Sequence, residues 1–387
     1  MSYLKNEIHF TSARSFLDPE KVAREEITVF QKRISTLEKF KVILKNSGIL
    51  EDIKSYDNVV IKMHYGEIGT TRTIRSIFVR ALVDMIKEKT PYVCITESAG
   101  LGLSVAGTYG IGRIQIANYN GYTTESCGAP LIPNDGLKGL DYIEVSPSKF
   151  HTLNRVCLGK LCTEADKIIV LSHFKGHIET GFGGALKNVG VGFAAKPSKY
   201  GIHFKKWNEP PVIDLNKCTK CNKCVEICPA QSIQNYQILK DKCKLCWGCG
   251  DTCEQKAVII EWITPLETQK RVCDVIRGFF DIIAKEKVRY INLMMDLTPS
   301  CDCVPHSDTP VYPDVGIFIG RDIIAIDKAC VDALQKVPLI GKPFSEGITF
   351  EQYWEKTGGP KLLEFIAAAK KLDLGSEEYE LVVYEPG

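Results

Sequence analysis

The chain has 387 residues, 44% of them hydrophobic and 25% charged. That composition excludes general disorder, and at roughly 150 residues per domain it leaves room for two or three domains with sizeable cores. Forty-nine basic side chains against 47 acidic ones give a formal charge of +2, too balanced for a nucleic-acid partner to be expected. Met1–Phe10 lacks the basic-then-apolar order of an export signal, and the Gly-rich uncharged stretch Ser98–Gly112 is too short and too polar to span a membrane. The expectation is a cytoplasmic protein with neither a membrane nor a nucleic-acid partner.

In chain order, Val59–His64 is a short apolar run after Asp57-Asn58 and reads as a buried parallel strand ending in a glycine turn. Apolar residues at helical spacing from Ile74 to Ile86 predict a helix over about 73–87. Strands are expected over 92–96 and 168–171, then, beyond a cysteine-rich block, a helix over 272–284 and strands over 290–295 and 315–319. A helix over about 324–334 follows, and the alternation in Tyr379–Tyr384 suits an edge strand. Strand–helix alternation on both sides of the block argues for an α/β body, mainly a parallel sheet, with a small module inserted in it. Asn208-Glu209-Pro210-Pro211 and Thr264-Pro265 mark the insertion. The expected segments are therefore 1–210 and 264–387 for the body and 211–263 for the module.

Sixteen cysteines are many for a chain with no export signal, and eight of them crowd into residues 218–253. That pattern points to metal or clusters in a reducing compartment rather than to disulfides. The block is an internal repeat in which Lys217-Cys218 and Lys242-Cys243 start matching halves 25 residues apart. Its halves read Cys218-x2-Cys221-x2-Cys224-x3-Cys228-Pro229 and Cys243-x2-Cys246-x2-Cys249-x3-Cys253. Three thiolates at two-residue gaps wrap one iron–sulfur cube, and the fourth points away toward the other. Zinc knuckles would use two close cysteines, a long spacer and two more, a poorer match. The module resembles two-cluster bacterial ferredoxins. The resemblance implies one 4Fe-4S cluster on Cys218, Cys221, Cys224 and Cys253 and a second on Cys228, Cys243, Cys246 and Cys249. Glu254 stands where that pattern usually has proline. Lys217, Lys220, Lys223, Lys240, Lys242 and Lys244 surround the motif and either guide an acidic redox partner protein or form an ordinary solvated surface.

Three constellations stand out in the body. Lys62 and His64 share a face near the carboxyl end of their strand, before the loop Gly66–Arg72. Ser172-His173-Phe174-Lys175-Gly176-His177 runs on to Gly181–Asn188, where paired histidines could ligate metal or move protons and glycines let a ligand approach backbone amides. Past the strand at 290–295 lie Asp296, Cys301-Asp302-Cys303, His306 and Asp308. Thiolate, carboxylate and imidazole together suit a metal or a reactive thiol, against the plain reading of a polar loop.

Together Val60–Glu67, His173–His177, Gly181–Asn188, Cys301-Asp302-Cys303, Asp314-Val315-Gly316, Asp322 and Ala325-Ile326-Asp327 resemble the domain of unknown function 362 family, over most of residues 57–336. That resemblance implies an iron–sulfur protein with an α/β body and supplies no reaction. The resulting expectation is an oxidoreductase, or a redox-coupled component of one, relaying electrons between a partner protein and a site that takes a small-molecule substrate. Its candidate catalytic residues are Lys62, His173, His177 and Lys187, with Lys62, Arg72 and Lys187 anchoring an anion and the histidines moving protons. An additional metal is expected on Cys301, Cys303 and His306. The alternatives are an electron-carrier module of a larger assembly and a non-redox metal enzyme with structural clusters.

Overall fold

A computed structural model describes residues 6–15, 33–102, 106–340 and 360–384, with 23, 24, 26 and 352 besides. Eight strands make the central sheet: β1 (Glu7–Ser12), β2 (Val59–Lys62), β3 (Val93–Glu97), β4 (Leu131–Pro133), β5 (Lys167–His173), β6 (Val288–Met294), β7 (Gly316–Gly320) and β8 (Glu380–Val383). Their order is β8-β1-β7-β6-β5-β2-β3-β4. Only β7 runs against its neighbours; the pairs β1–β8, β5–β6, β2–β5, β2–β3 and β3–β4 are all parallel. The body is thus an α/β fold on a mostly parallel sheet. The expected strand at 379–384 does form an edge, Glu380–Val383, which among the described residues pairs with β1 alone.

Both faces of the sheet are covered, as a parallel sheet requires. The alternation of β5 shows this: Ile168 and Val170 pack into one core, Ile169 and Leu171 into the other. Helices α1 (Thr36–Asn46) and α2 (Ser76–Lys87) supply Phe40, Ile43, Leu44, Phe78, Leu82 and Ile86 to the second core. On the other face lie α3 (Ala185–Gly190), α4 (Pro265–Ile282), α5 (Ile323–Leu334) and α6 (Leu362–Lys371). Thr264 caps α4, accepting the Glu267 N–H, and Pro265 takes its first position. The Thr264-Pro265 signal therefore begins the helix, which starts well before the expected residue 272.

Chain direction reverses across the sheet between β2 and β5. The chain winds outward through β2, β3 and β4, then returns to place β5 and β6 on the other side of β2. Loops at the carboxyl ends of β2 and β5 diverge there and leave a crevice, the usual ligand position in an open α/β sheet. A short hairpin, Lys175–His177 with Gly181–Gly183, follows β5 directly. It leads into α3, whose first N–H groups at Ala185 and Leu186 donate to Asp327 on α5, 2.8 Å each. Gly184 is obligatory at this junction, since a Cβ there would stand 2.4 Å from Asp327 Oδ1. Asp327 is itself fully buried and accepts a third bond from Asn292. The helix start that looked ready for a ligand anion is thus filled by a carboxylate of the chain.

Asp327→Ala would orphan three buried donors. It should lower unfolding stability by about 3 kcal/mol or more, measured by anaerobic thermal unfolding against the wild type, and loosen α3. A loss under about 1 kcal/mol would contradict this account of the junction.

Candidate functional site

Residues from the three constellations meet in the crevice. A cavity of about 170 Å³ is lined by His64, Glu97, Arg113, His173, Lys175, His177, Lys187, Asn188 and Cys303, among others. At its base Asp302 is fully buried. Lys175 Nζ lies 2.8 Å from its Oδ1, His173 Nδ1 lies 3.1 Å from Oδ2, and His64 Nε2 lies 3.6 Å from Oδ1. Burial alone would raise the Asp302 carboxyl, but Lys175, His64 and His173 outweigh it and hold it well below the ordinary range.

His173 is spent within the protein. Its Nδ1 meets Asp302 and its Nε2 meets the carbonyls of Met295 and Asp296 at 2.8 and 3.2 Å. It locks the carboxyl end of β5 to the cysteine loop and leaves no ring nitrogen for a ligand. His64 is different: Nδ1 faces Glu97 Oε1 at 2.5 Å, while the buried Nε2 lies 3.6 Å from Asp302 Oδ1 and makes no hydrogen bond among the described residues. A ring set between two carboxylates beside the cavity, the second just beyond hydrogen-bond distance, suits proton transfer.

Glu97 also accepts from Arg113 at 2.7 Å, and Arg113 bonds Glu67 at 3.1 Å. Burial would raise the Glu97 carboxyl, yet Arg113, His64 and Lys62 hold it well down. Neither Glu97 nor Arg113 was singled out in the sequence reading. Glu97 sits one residue past the expected strand, at the carboxyl end of β3 beside β2, which is the signal that could have found it. Arg113 lies in a helix, Gly110–Tyr119, with nothing in its local sequence to single it out.

Lys62 is fully buried behind the cavity wall, donating to Met63 O at 2.8 Å and Asn188 Oδ1 at 2.9 Å. Burial first, then Lys199, Arg113 and Lys187, push its pKa down to about 7 against the pull of Glu97. Arg72 is committed to Asp296, as is Arg75. Lys187 donates to Cys301 Sγ at 3.2 Å and to Cys303 Sγ at 3.6 Å. Burial would raise the Cys301 thiol, but the Cys303 hydrogen bond, Lys175 and Lys187 hold it well below its ordinary value. The bond to Cys301, and then burial, push Cys303 the other way. Cys301 is thus the more acidic thiol of the pair, and its Sγ also lies 3.2 Å from Asp302 Oδ1. His177 is kept neutral chiefly by burial, then by Lys187 and His203. His306 is exposed and stands apart from these groups; the side chains gathered with the two sulfurs are His177, and with Cys301 alone His64 and Asp302.

The module's repeat is written in its backbone. Lys220 and Leu245, Asn222 and Trp247, and Gln231 and Lys256 all take left-handed conformations, each pair at equivalent places in the two halves. The N–H groups of Ser232 and Ala257, again equivalent, donate to Cys228 and Cys253 sulfurs at 3.2 Å each. One cavity is lined by Cys218, Cys221, Cys224 and Cys253, and a second by Cys228, Cys243, Cys246 and Cys249. Four sulfurs around each space, with amide donors aimed at sulfur, are a donor set suited to an iron–sulfur cluster.

The second group faces the body. Trp247, on its cavity, packs at a tilt against Phe204 at 5.1 Å; Phe204 meets His203 at 6.4 Å, and His203 lines the body cavity. A Cβ on Gly102 would stand 2.9 Å from the Trp247 carbonyl, and the neighbouring Leu101 lines the same body cavity.

The family model for the domain of unknown function (DUF362) matches residues 59–332. The chain belongs to that family. It is also 36% identical over 52 residues to the pyruvate synthase subunit PorD of Methanothermobacter marburgensis, which covers 13% of this chain and 64% of that protein. For PorD of Methanocaldococcus jannaschii the identity is 38% over 53 residues, 12% of this chain and 62% of that one. The chain thus spans less than two thirds of either curated relative. Among solved structures, a Thermotoga maritima protein from a structural genomics consortium superposes with a TM-score of 0.42 at 14% identity, over 78% of this chain and 60% of that one. The lactate racemase apoprotein of Thermoanaerobacterium thermosaccharolyticum gives 0.34 at 15%, over 76% and 52%. Among the described residues no helix is long and apolar enough to cross a membrane.

The Lys62 amine, neutral in the fold above about pH 7, keeps its proton in the unfolded chain up to about pH 10.5. The unfolded state binds more protons between those values, so stability should rise with pH there, by up to about 1.4 kcal/mol per unit from this group. Lys62→Met should flatten that slope in stability measured from pH 7 to 10, and an unchanged slope would count against a neutral buried lysine.

Proposed function

We propose that the chain is an iron–sulfur redox protein in which a two-cluster module, residues 211–263, serves a reaction site in the crevice of the α/β body. The observation that carries this reading is the sorting of eight module cysteines into two groups of four around separate cavities, with the inner group packed toward the body cavity. Val212–Ile213 pairs with Val258–Ile259, closing the module at its base, which supports treating it as a unit. Cys218, Cys221, Cys224 and Cys253 would hold one 4Fe-4S cluster, and Cys228, Cys243, Cys246 and Cys249 the other. Bound there, such clusters supply reversible one-electron storage.

The chain's own residues divide the remaining work. Cys221 is exposed, and Lys217, Lys220, Lys223, Lys240 and Lys242 are exposed around the module, which suits docking of an acidic redox partner protein at the outer group. Trp247 and Phe204 fill the space between the inner group and the body and exclude water from it. Around the cavity Arg113, Lys175 and Lys187 are positive, and Glu97 and Asp302 offset part of that charge. His64 Nε2 is placed to take or return a proton on a small molecule held there, with Glu97 fixing the ring. The chemistry these groups suit is a proton-coupled redox step on a small polar substrate, in an oxidoreductase or its redox component.

Iron and sulfide counting on anaerobically purified protein tests the module. About eight irons per chain are expected. Cys253→Ser should remove the EPR signal of the first group's cluster and spare the second, with Cys228→Ser doing the reverse. Zinc in place of iron, or Cys253→Ser damaging the second group instead, would overturn the assignment.

A further inference from the structure

We propose that Cys301 and Cys303 form a dithiol–disulfide couple, a two-electron store in the wall of the body cavity. The proposal rests on the iron–sulfur reading for its electron source, and on separate geometry for the pair itself. The two Sγ atoms and a ring nitrogen of His177 lie within 4.8 Å of one another. Cys303 N–H points at Cys301 Sγ at 3.4 Å, and Lys187 Nζ donates to both sulfurs.

Such a trio could suggest a metal, but His177 has no lone pair to give. Its Nδ1 accepts the N–H groups of Glu179 and Thr180, 3.2 Å each, so the neutral ring carries its proton on Nε2. The Lys187 ammonium already supplies, against both sulfurs, the positive charge a metal would bring. Two sulfurs remain within reach of each other, Cys301 buried and Cys303 on the cavity surface.

One residue between the cysteines means that their bridge closes a strained ring. Strained disulfides are the readily reduced ones. The reduced form is favoured further, since Lys187, Lys175 and the Cys303 amide all stabilise a thiolate on Cys301. Both effects make the couple an electron acceptor relative to a low-potential donor. In the forward step a one-electron donor of low potential acts twice. Two electrons and one proton enter, the S–S bond breaks, Cys303 takes the proton from the cavity as a thiol, and Cys301 leaves as the thiolate beside Lys187 and Lys175. Run in reverse, the couple releases its electrons as a pair, which joins one-electron carriers to two-electron chemistry.

The experiment uses reconstituted full-length protein, oxidised anaerobically with the thiol oxidant diamide, desalted, and titrated with dithionite. The wild type should take up about two electrons more than its clusters require, whereas Cys303→Ser, with cluster EPR signals unchanged, should lack that extra pair. In parallel, alkylation and peptide mass spectrometry of the oxidised wild type should find Cys301 and Cys303 protected and about two mass units light, and both alkylated after reduction. This second readout needs no variant to fold and no cluster to be present. Free, alkylatable cysteines in the oxidised protein would overturn the couple, as would metal beyond the cluster complement that the Cys301→Ser, Cys303→Ser double variant removes. Absent cluster signals with the mass shift present would instead overturn the module reading and leave the couple standing.

Discussion

A single buried carboxylate organises the crevice. Asp302 is withdrawn from water beside Lys175, His173 and His64, and an ionised carboxyl so placed is tolerable only with partners fixed around it. These partners come from the end of β2 and from the end of β5 with its hairpin, while Asp302 itself belongs to the cysteine loop after β6. Satisfying that one charge therefore brings those segments together. Removing one member of such a group characteristically costs about 3–5 kcal/mol, because the rest stay buried without compensation. The same constraint sets the chemistry, since Lys175 and Lys187 are held where they favour a thiolate on Cys301.

Much of the body was legible because parallel strands buried on both faces read as continuous apolar runs. Val59–Lys62, Lys167–His173, Val288–Met294 and Gly316–Gly320 all fall within a residue or two of expectation. The amino-terminal strand was not legible: Glu7–Ser12 is short, half polar, and fixed by its pairing with β7, a contact more than 300 residues away along the chain. Helix α1 did carry a readable signal, the Ser35–Glu38 capping box, yet it lies outside the motifs that drew attention.

At the site, the sequence brought the right loops forward and left several roles to be set by packing. Lys62, His173, Lys187 and Cys301 do converge, as strand-end loops on one edge of a sheet should. Which nitrogen of a histidine is hydrogen-bonded cannot be read from spacing: both His173 nitrogens are, whereas His64 Nε2 stays 3.6 Å from Asp302. His306 is near Cys303 in sequence, but the loop carries it to the surface. The module lies at the opposite extreme. The resemblance to two-cluster ferredoxins implied which four thiolates belong together, and the same fours line the two cavities of a backbone repeat whose left-handed residues recur in both halves.

Electron-spin relaxation tests most directly whether the inner cysteine group serves the body cavity. A nitroxide attached to Cys303, on the cavity wall, would be measured with the module oxidised and then reduced. The account predicts faster relaxation of the label on reduction, an effect lost in Cys246→Ser and kept in Cys221→Ser. No change on reduction, or an effect that disappears with Cys221→Ser and survives Cys246→Ser, would contradict it.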